Sequence, residues 1–579
     1  MRKLTVRMFA VVLVLVLCAS LGSCSRLAGS LAGLLGNKDE DYGFDYDGDL
    51  TPGGDPKIRK QYMDIVYLGD TDLRFNYTEA EAAELREQVD QLYEYLEGDD
   101  YAAFLAMFTY VQYGAYARME SQRVLAQVEY SLWREDPETV ENFEWMRAFS
   151  MDMSTKLSKL YRKVYDSPIR DKFYDGWTPE EIEAALFYAD SADEEYAALQ
   201  AEYDSLLVEY YALDQNAATF MTESAEIYLR AIALNHAIAQ KMGYDSYMDF
   251  AYECVYSREY SPDDVAVLRD YAEQALVPLF DRVEVALNDV ASDLRQAEED
   301  KINELYNQDI FSEMLYSYAK DIGGTYFAEF DQLLEQEHFF AAHDPDRSRN
   351  GAFTDYLPDQ TQPIIYFGAY YQDHFTMAHE FGHYYSFAYN GVRDVSYDLC
   401  ELQSQGNEWL YLAYLSEQNC DVASQYLTLS RLYNDLCTVF ICLCVDEFEQ
   451  TVYGQPDLYT TPEQLDSLYR EICERYLGAD RMESIMGYDP AEYWHYVAID
   501  AAGYYVSYAV SLFPCFELYA LAETDYDAAV QTYLSLVEYS GSQTFFETLA
   551  RAGLQNPLKQ GYEPIDFDQL YALLGQKQQ

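Results

Sequence analysis

The sequence predicts a mainly α-helical protein. Apolar residues recur at three- and four-residue intervals in long segments such as 79–100, 178–213 and 261–306, and Ser, Thr or acidic residues stand near the segment starts. Strand-like patterns are few, and the best one is "TQPIIYFGAYY" at residues 361–371. Half of the residues are hydrophobic, which is enough for one large domain or two closely packed ones.

Residues 1–23 predict an export signal. Basic residues precede an apolar run at residues 8–17 that is too short to cross a bilayer comfortably as a helix. The following "LGSC", residues 21–24, resembles the bacterial lipobox, which implies cleavage before Cys24 and a lipid on its sulfur. We therefore expect an extracytoplasmic protein anchored by lipid to the bacterial cell membrane. The alternative is an ordinary signal peptide with an incidental cysteine at position 24.

An acidic stretch, residues 24–57, follows the signal. It begins with small residues and ends in glycine and proline, so it cannot bury enough apolar surface to offset the entropy lost on ordering. We interpret it as a flexible tether between the membrane anchor and the folded part of the chain.

The net charge of −63 limits the possible partners. Phosphates would be repelled by such a chain, so nucleic acid is excluded as a predicted partner. The charge favours neutral or basic ligands, although a role in solubility explains it equally well. No segment after the signal has the long uninterrupted apolar run of a membrane span.

The stretch "FTMAHEFGHYYSFAYNG", residues 375–391, carries the clearest chemistry. His379 and His383 are two of only seven histidines, and their i, i+4 spacing places both imidazoles on one helix face, where they could bind one zinc ion. Glu380 is then predicted to act as the general base that takes a proton from water and passes it to a leaving amine. The alternative is a chance match within an amphipathic helix.

A third ligand is predicted in the next helical segment, "YDLCELQSQGNEWLYLAYL". This helix is expected to begin near Asp398, with Glu401 and Glu408 on one face. Glu401 could reach the metal while Glu408, two turns later, supports a ligand histidine. A competing interpretation is that Asp398 is an N-cap residue and Glu401 only completes its capping box.

These motifs resemble the thimet oligopeptidase and oligoendopeptidase F family of zinc metallopeptidases. The resemblance rests on "FTMAHEFGHYYSF" and "DLCELQSQGNEW", extends more weakly to residues 349–358 and 241–265, and covers roughly 240–520. It implies one zinc ion per chain with Glu401 as the third ligand and Glu408 behind a ligand histidine. It also implies a two-lobed helical fold around a deep channel, with a small β-sheet beside the zinc helix. We expect an N-terminal lobe at 58–330 and a catalytic lobe at 331–579, interleaved with each other.

A second motif, "EYWHYVAIDAAGYYVSYAVSLF", lies near the C-terminus. In the family that it resembles, a histidine and a tyrosine-rich stretch face the zinc and donate hydrogen bonds to the substrate carbonyl and the oxyanion. The resemblance implies these roles for His495, Tyr504 and Tyr508. Ala502 and Gly503 allow a turn, after which Tyr504 and Tyr508 share one helical face. Tyr505 is the alternative, and a tyrosine stripe that only packs is the other interpretation.

Two features depart from the family pattern. Ser386 stands where many relatives carry another histidine, and the segment between His383 and Glu401 is shorter than in the better-known branches. The shorter connection leaves Asp398 or Glu408 as substitutes for Glu401.

Residues 361–371 are predicted either as an exposed edge strand that pairs with an extended substrate or as a buried connector strand.

The sequence thus predicts a zinc metalloendopeptidase that hydrolyses internal bonds of short unstructured peptides. Zinc would activate water, Glu380 would take its proton, and His495 with a tyrosine would stabilise the oxyanion. One rival hypothesis is a catalytically inactive peptide-binding surface lipoprotein. Others are a structural helical surface protein without metal, and an exopeptidase or dipeptidase of the same fold.

Overall fold

The computed structural model describes residues 73–570 apart from 98–100, 192, 216, 346, 392–394, 420–421, 500, 563–565, 567 and 569. The predicted signal peptide, 1–23, and tether, 24–57, lie outside the described residues. The mainly α-helical fold is confirmed, and a small sheet lies beside the helix that carries the histidine pair.

The first half of the described chain consists of helices. They are α1 (Glu79–Leu96), α2 (Tyr101–Tyr110), α3 (Ala117–Leu132), α4 (Pro137–Tyr165), α5 (Arg170–Phe173), α6 (Pro179–Ser191), α7 (Glu194–Tyr211), α8 (Phe220–Lys241), α9 (Tyr247–Phe250), α10 (Ala266–Tyr271), α11 (Val277–Asp293), α12 (Gln296–Tyr306), α13 (Glu313–Ile322) and α14 (Gly324–Gln336). Wider π-helical turns at Val111–Tyr116, Ala251–Val255 and Ala272–Leu276 continue neighbouring helices, and Pro262–Val265 is a 3₁₀ turn.

Three short strands, β1 (Phe339–Ala341), β2 (Ala352–Leu357) and β3 (Gln362–Phe367), separate these helices from the second set. The second set is α15 (His374–Asn390), α16 (Tyr397–Asn419), α17 (Val422–Gly454), α18 (Pro462–Tyr476), α19 (Ala479–Met486), α20 (Trp494–Val497), α21 (Val506–Ala522), α22 (Tyr526–Ser540) and α23 (Phe545–Ala552).

The sheet order is β1-β3-β2, with β1 parallel and β2 antiparallel to β3. The strand predicted within 361–371 is therefore present as β3, but it is the central strand. Both of its edges are paired, so the edge-strand expectation for this segment is wrong and the buried-connector alternative fits. Among the described residues, β2 pairs on one side only and is an edge strand beside α15.

The hydrophobic core is built around α17. By length and composition it is the one helix of the described part that could cross a membrane, yet most of its apolar window is buried inside the protein, as in a central core helix. Buried side chains from both sides of residue 330 share the same large apolar cluster. The lobe boundaries themselves remain predictions. A second apolar cluster contains buried side chains from all four of the helices α1, α2, α3 and α4.

Candidate active site

The histidine pair lies on α15, as the sequence predicts. Asp373 caps this helix, because its carboxylate accepts hydrogen bonds from the backbone N–H groups of Phe375 (2.9 Å) and Thr376 (3.0 Å). One turn further on, the rings of His379 and His383 face each other with their centroids 5.1 Å apart. Both imidazoles are therefore presented on one face of a well-capped helix.

Helix α16 crosses α15 at very short range, and Gly382 makes this possible. A Cβ atom at Gly382 would lie 2.6 Å from the carbonyl oxygen of Gln403 and 2.7 Å from the Cα of Ser404. No larger residue fits there without separating the two helices. The glycine inside the motif is thus a packing requirement, and it depends on Gln403 and Ser404 of another helix rather than on the local sequence pattern.

The close crossing brings Glu401 of α16 to the histidine pair. Its Oε2 atom lies 3.7 Å from Nε2 of His379 and 3.9 Å from Nε2 of His383, and one ligand atom from each of the three residues falls within 4.8 Å of the others. Four-coordinate zinc with bonds of roughly 2.0–2.2 Å places its ligand atoms about 3.4 Å apart. The spacing is therefore close to that of a zinc site.

The chemistry of the donor set fits a metal ion as well. Burial and the neighbouring His379 hold the pKa of His383 well below its usual value, so this imidazole is neutral, the form that binds metals. Its Nε2 atom is buried and has no hydrogen-bond partner among the described residues. A buried nitrogen without a partner is costly unless an ion uses it.

The capping alternative for Glu401 does not describe this helix. The hydroxyl of Ser396 accepts a hydrogen bond from the backbone N–H of Leu399 (3.3 Å) at the start of α16. Asp398 instead accepts hydrogen bonds from Ser507 and Arg258, and Glu401 accepts one from Tyr504. The carboxylate of Glu401 therefore takes part in the histidine cluster rather than in a cap.

Glu408 lies behind His379. Its Oε1 atom is 2.8 Å from Nδ1 of His379, and its other oxygen pairs with Arg431. Burial alone would raise the pKa of Glu408, but the Arg431 guanidinium and His379 lower it to about 2. An ionised carboxylate on Nδ1 fixes the tautomer that leaves Nε2 free to bind a metal. Arg431 was not identified from the sequence, because it comes from α17.

Glu380 is buried beside the cluster. Burial raises its pKa to about 7, and Thr354 of β2 donates a hydrogen bond to its Oε2 atom (2.7 Å). The same hydroxyl also lies 3.0 Å from the backbone carbonyl oxygen of Glu380. Thr354 therefore links the edge strand to this carboxyl group, a contact that no local pattern in the sequence indicated.

The tyrosines lie near the cluster in different ways. Tyr504 donates a short hydrogen bond to Oε1 of Glu401, so its hydroxyl is directed to the carboxylate. The ring of Tyr508 stands edge-on to that of Tyr504, with 5.3 Å between centroids. Tyr505 is next to both, at 6.3 and 6.4 Å. All three side chains are buried.

His495 has its own set of contacts. Its Nδ1 atom is 2.9 Å from the hydroxyl of Ser224, its Nε2 atom is 3.6 Å from Asp466, and its ring stacks on Trp494. Among the described residues, no hydrogen bond or ion pair joins it to the other predicted site residues. Its role at the site therefore remains a prediction from the resemblance.

The site defines a candidate metal-dependent hydrolase within a helical architecture. It combines two histidines, one carboxylate that could serve as the third ligand, and an adjacent carboxyl group. Residues 369–564 match the family model "Peptidase family M3", in agreement with the resemblance that the sequence motifs show. The match supports a peptidase. It includes every predicted site residue, from His379 to Tyr508.

Solved structures with the same fold are similar to this chain over most of its length. A structure assigned as oligoendopeptidase F has a TM-score of 0.67 and 17% sequence identity, and the match covers 87% of this chain and 97% of that chain. Pz peptidase A with an inhibitor also has a TM-score of 0.67, at 16% identity, and the match covers 87% of this chain and 98% of that chain. An assigned oligoendopeptidase F from Bacillus anthracis str. Ames has a TM-score of 0.64 at 16% identity, covering 87% of this chain and 96% of its own. No curated protein matches the sequence.

Proposed function

We propose that this chain is a zinc metalloendopeptidase that hydrolyses internal bonds of short, unstructured peptides outside the cytoplasm. The observation that carries the proposal is the convergence of His379, His383 and Glu401 on one point, with Glu380 next to them. A protein that only binds peptides has no need of the carboxyl group of Glu380 at this position. A structural protein has no need of a buried imidazole nitrogen without a partner.

His379, His383 and Glu401 would hold one zinc ion per chain. When bound, such an ion lowers the pKa of water and polarises a carbonyl oxygen. Glu408 keeps the ring of His379 in the required tautomer, and Tyr504 holds one oxygen of Glu401 so that the other faces the histidines. The protein thereby presents three fixed donor atoms.

Glu380 performs the proton transfers. Its carboxylate takes a proton from the attacking water as the new C–O bond forms, and it then donates that proton to the amine nitrogen as the C–N bond breaks. Thr354 holds the carboxyl group in place through Oε2. Tyr508 is our candidate for the donor to the developing oxyanion, because the hydroxyl of Tyr504 is directed to Glu401.

Strand β2 is the proposed guide for the substrate. A peptide that added to the edge of β2 that pairs with no described strand would run past Thr354 and therefore past Glu380. Only an extended, unfolded peptide can make that pairing. This favours short unstructured substrates, in agreement with the channel that the family resemblance implies.

The location of the enzyme is part of the proposal. The lipobox-like segment before Cys24 supports attachment to the bacterial cell membrane through a lipid on that residue. The acidic segment 24–57 would then hold the catalytic part away from the surface. Peptides present outside the cytoplasm are the corresponding substrates.

The test compares wild type with Glu380→Gln, measuring zinc content and the products formed from peptides of graded length by mass spectrometry. We expect one zinc per chain in both and a loss of internal cleavage of about 10²- to 10⁴-fold in the variant. Glu517→Gln is the matched control, because Glu517 is a partly buried carboxyl group that bonds to Tyr562 rather than to the site.

Three other outcomes separate the alternatives. Stoichiometric zinc without cleavage by wild type would favour a peptide-binding lipoprotein. Release of terminal residues or dipeptides alone would favour an exopeptidase or dipeptidase. A wild-type chain without zinc would overturn the proposal.

A further inference from the structure

Arg258 is a fully buried cation close to the proposed metal centre. Its guanidinium has no exposed surface and lies over the rings of Tyr252 (4.3 Å) and Tyr256 (4.7 Å). A buried charge is expensive unless its hydrogen bonds and charge are compensated. The sequence gives Arg258 no role beyond a place in the stretch that resembles the peptidase family, so its function has to be found in its contacts.

The guanidinium joins two segments that are distant in sequence. It lies 3.3 Å from Asp398, in the first turn of α16, and it donates to the carbonyl oxygen of Gly503 (2.7 Å) and the hydroxyl of Ser507 (2.7 Å). Ser507 in turn donates to Asp398 at 2.6 Å. We call Arg258, Asp398 and Ser507 the arginine clamp. It ties the start of α16 to the turn that precedes α21.

The turn held by the clamp has a demanding geometry. Gly503 has a φ of +86°, and a Cβ atom there would lie 3.2 Å from the ring of Tyr256. Its backbone N–H donates to Glu449 (2.7 Å) while its carbonyl oxygen accepts from Arg258. Both polar groups of this peptide segment are thus fixed by buried side chains.

The clamp acts on residues next to its anchors. Tyr504 follows Gly503 directly, and Glu401 follows Asp398 by one helical turn on the same face of α16. The hydroxyl of Tyr504 bonds to Oε1 of Glu401, whereas Oε2 of that carboxylate faces the histidines. Fixing Gly503 relative to Asp398 therefore fixes Tyr504 relative to Glu401.

We propose that Arg258 is a positioning residue that sets the Tyr504–Glu401 contact and thereby orients Glu401 for metal binding. The proposal rests on the proposed function in that it takes Glu401 as a metal ligand. Arg258 acts only through the turn at Gly503 and the start of α16. Residues that orient a ligand from behind typically change metal affinity by about 10- to 100-fold when they are removed.

The test is a double-mutant cycle on zinc affinity, measured in the full chain by competition with a chromophoric chelator. Arg258→Met and Tyr504→Phe are each expected to weaken zinc binding by about 10-fold or more. Since Arg258 acts through Tyr504, the double variant should bind zinc about as weakly as Tyr504→Phe alone, rather than showing the product of both losses. Thermal unfolding of the zinc-free proteins reports the stability change separately.

Arg147→Met is the matched control, because Arg147 forms a largely buried ion pair with Asp204 on helices away from the site. It should lower thermal stability and leave zinc affinity unchanged. The proposed positioning role would be overturned if the Arg258→Met protein folded and bound zinc as tightly as wild type. It would also be overturned if the two losses of zinc affinity multiplied in the double variant.

If Arg258→Met does not fold, Ser507→Ala removes the hydroxyl that bridges Arg258 and Asp398. Ser507→Ala is expected to lose less zinc affinity than predicted for Arg258→Met, and an unchanged zinc affinity would overturn the proposed positioning role. A wild-type chain that binds no zinc would instead overturn the proposed function.

Discussion

At the residue scale, the candidate site depends on Arg431, a partly exposed cation that pairs with Glu408. Glu380, Glu401 and Glu408 lie close together, and Arg431 pairs with both Glu408 and Asp435. Without Arg431, the desolvation cost of Glu408 would favour its neutral form, and a neutral acid would not hold His379 in the ligand tautomer. Arg431 therefore allows the buried carboxylate of Glu408 to stay ionised.

Buried histidines predict how stability depends on pH. His338 is buried, its Nδ1 atom lies 3.0 Å from the hydroxyl of Tyr384, and burial lowers its pKa to about 4. The unfolded chain, with a histidine pKa of about 6.5, then binds more protons than the folded one between pH 4 and 6.5. The contribution to stability is complete above about pH 6.5 and is lost as the pH falls through about 4.

The substitution His338→Gln should therefore flatten the acid side of the stability profile. Between pH 6.5 and 4, wild type should lose up to about 1.4 kcal/mol per pH unit more than the variant. Urea unfolding at several pH values measures this difference. Equal slopes in His338→Gln and wild type would contradict the assignment.

At the scale of elements, the site depends on the crossing of α15 and α16. Gly382→Ala would place a methyl group 2.6 Å from the backbone of Gln403, so the helices must separate. We expect a loss of about 1–3 kcal/mol in unfolding free energy, and weaker zinc binding because Glu401 moves away from the histidines. Denaturant unfolding and chelator competition measure the two effects.

Gly114→Ala is the control for this substitution. Gly114 is exposed in a helical segment and has nothing within 4 Å of an added Cβ, so alanine should be neutral or stabilise the protein by up to about 1 kcal/mol. Similar effects at Gly382 and Gly114 would show that the helix crossing tolerates a methyl group.

The sequence predicts those parts of the site that depend on local spacing. The i, i+4 histidines, Glu380 and the helix with Glu401 and Glu408 all follow from periodicity within one or two elements. Arg258 is 140 residues from its partner Asp398 in the sequence, and Arg431 is 23 residues from Glu408. These pairs can be identified only once the helices are packed. The place of β3 in the sheet likewise depends on β1 and β2, which lie outside the segment itself.

At the scale of the whole molecule, charge is the dominant feature. Lys and Arg number 38 against 101 Asp and Glu, so the net charge is −63. Such a field attracts cationic ligands and is screened by salt over a Debye length of about 10 Å at 0.1 M. Because the field acts on diffusion and encounter, its effect should appear in kcat/KM rather than in kcat.

Peptides that differ only in charge test this field. We compare three peptides of equal length in which two positions away from the cleaved bond are Lys, Gln or Glu. As NaCl rises from 10 mM to 0.5 M, kcat/KM should fall for the Lys peptide, stay level for the Gln peptide and rise for the Glu peptide. The same salt response for all three would mean that the surface charge serves solubility alone, because a field that steers substrates must distinguish them by sign.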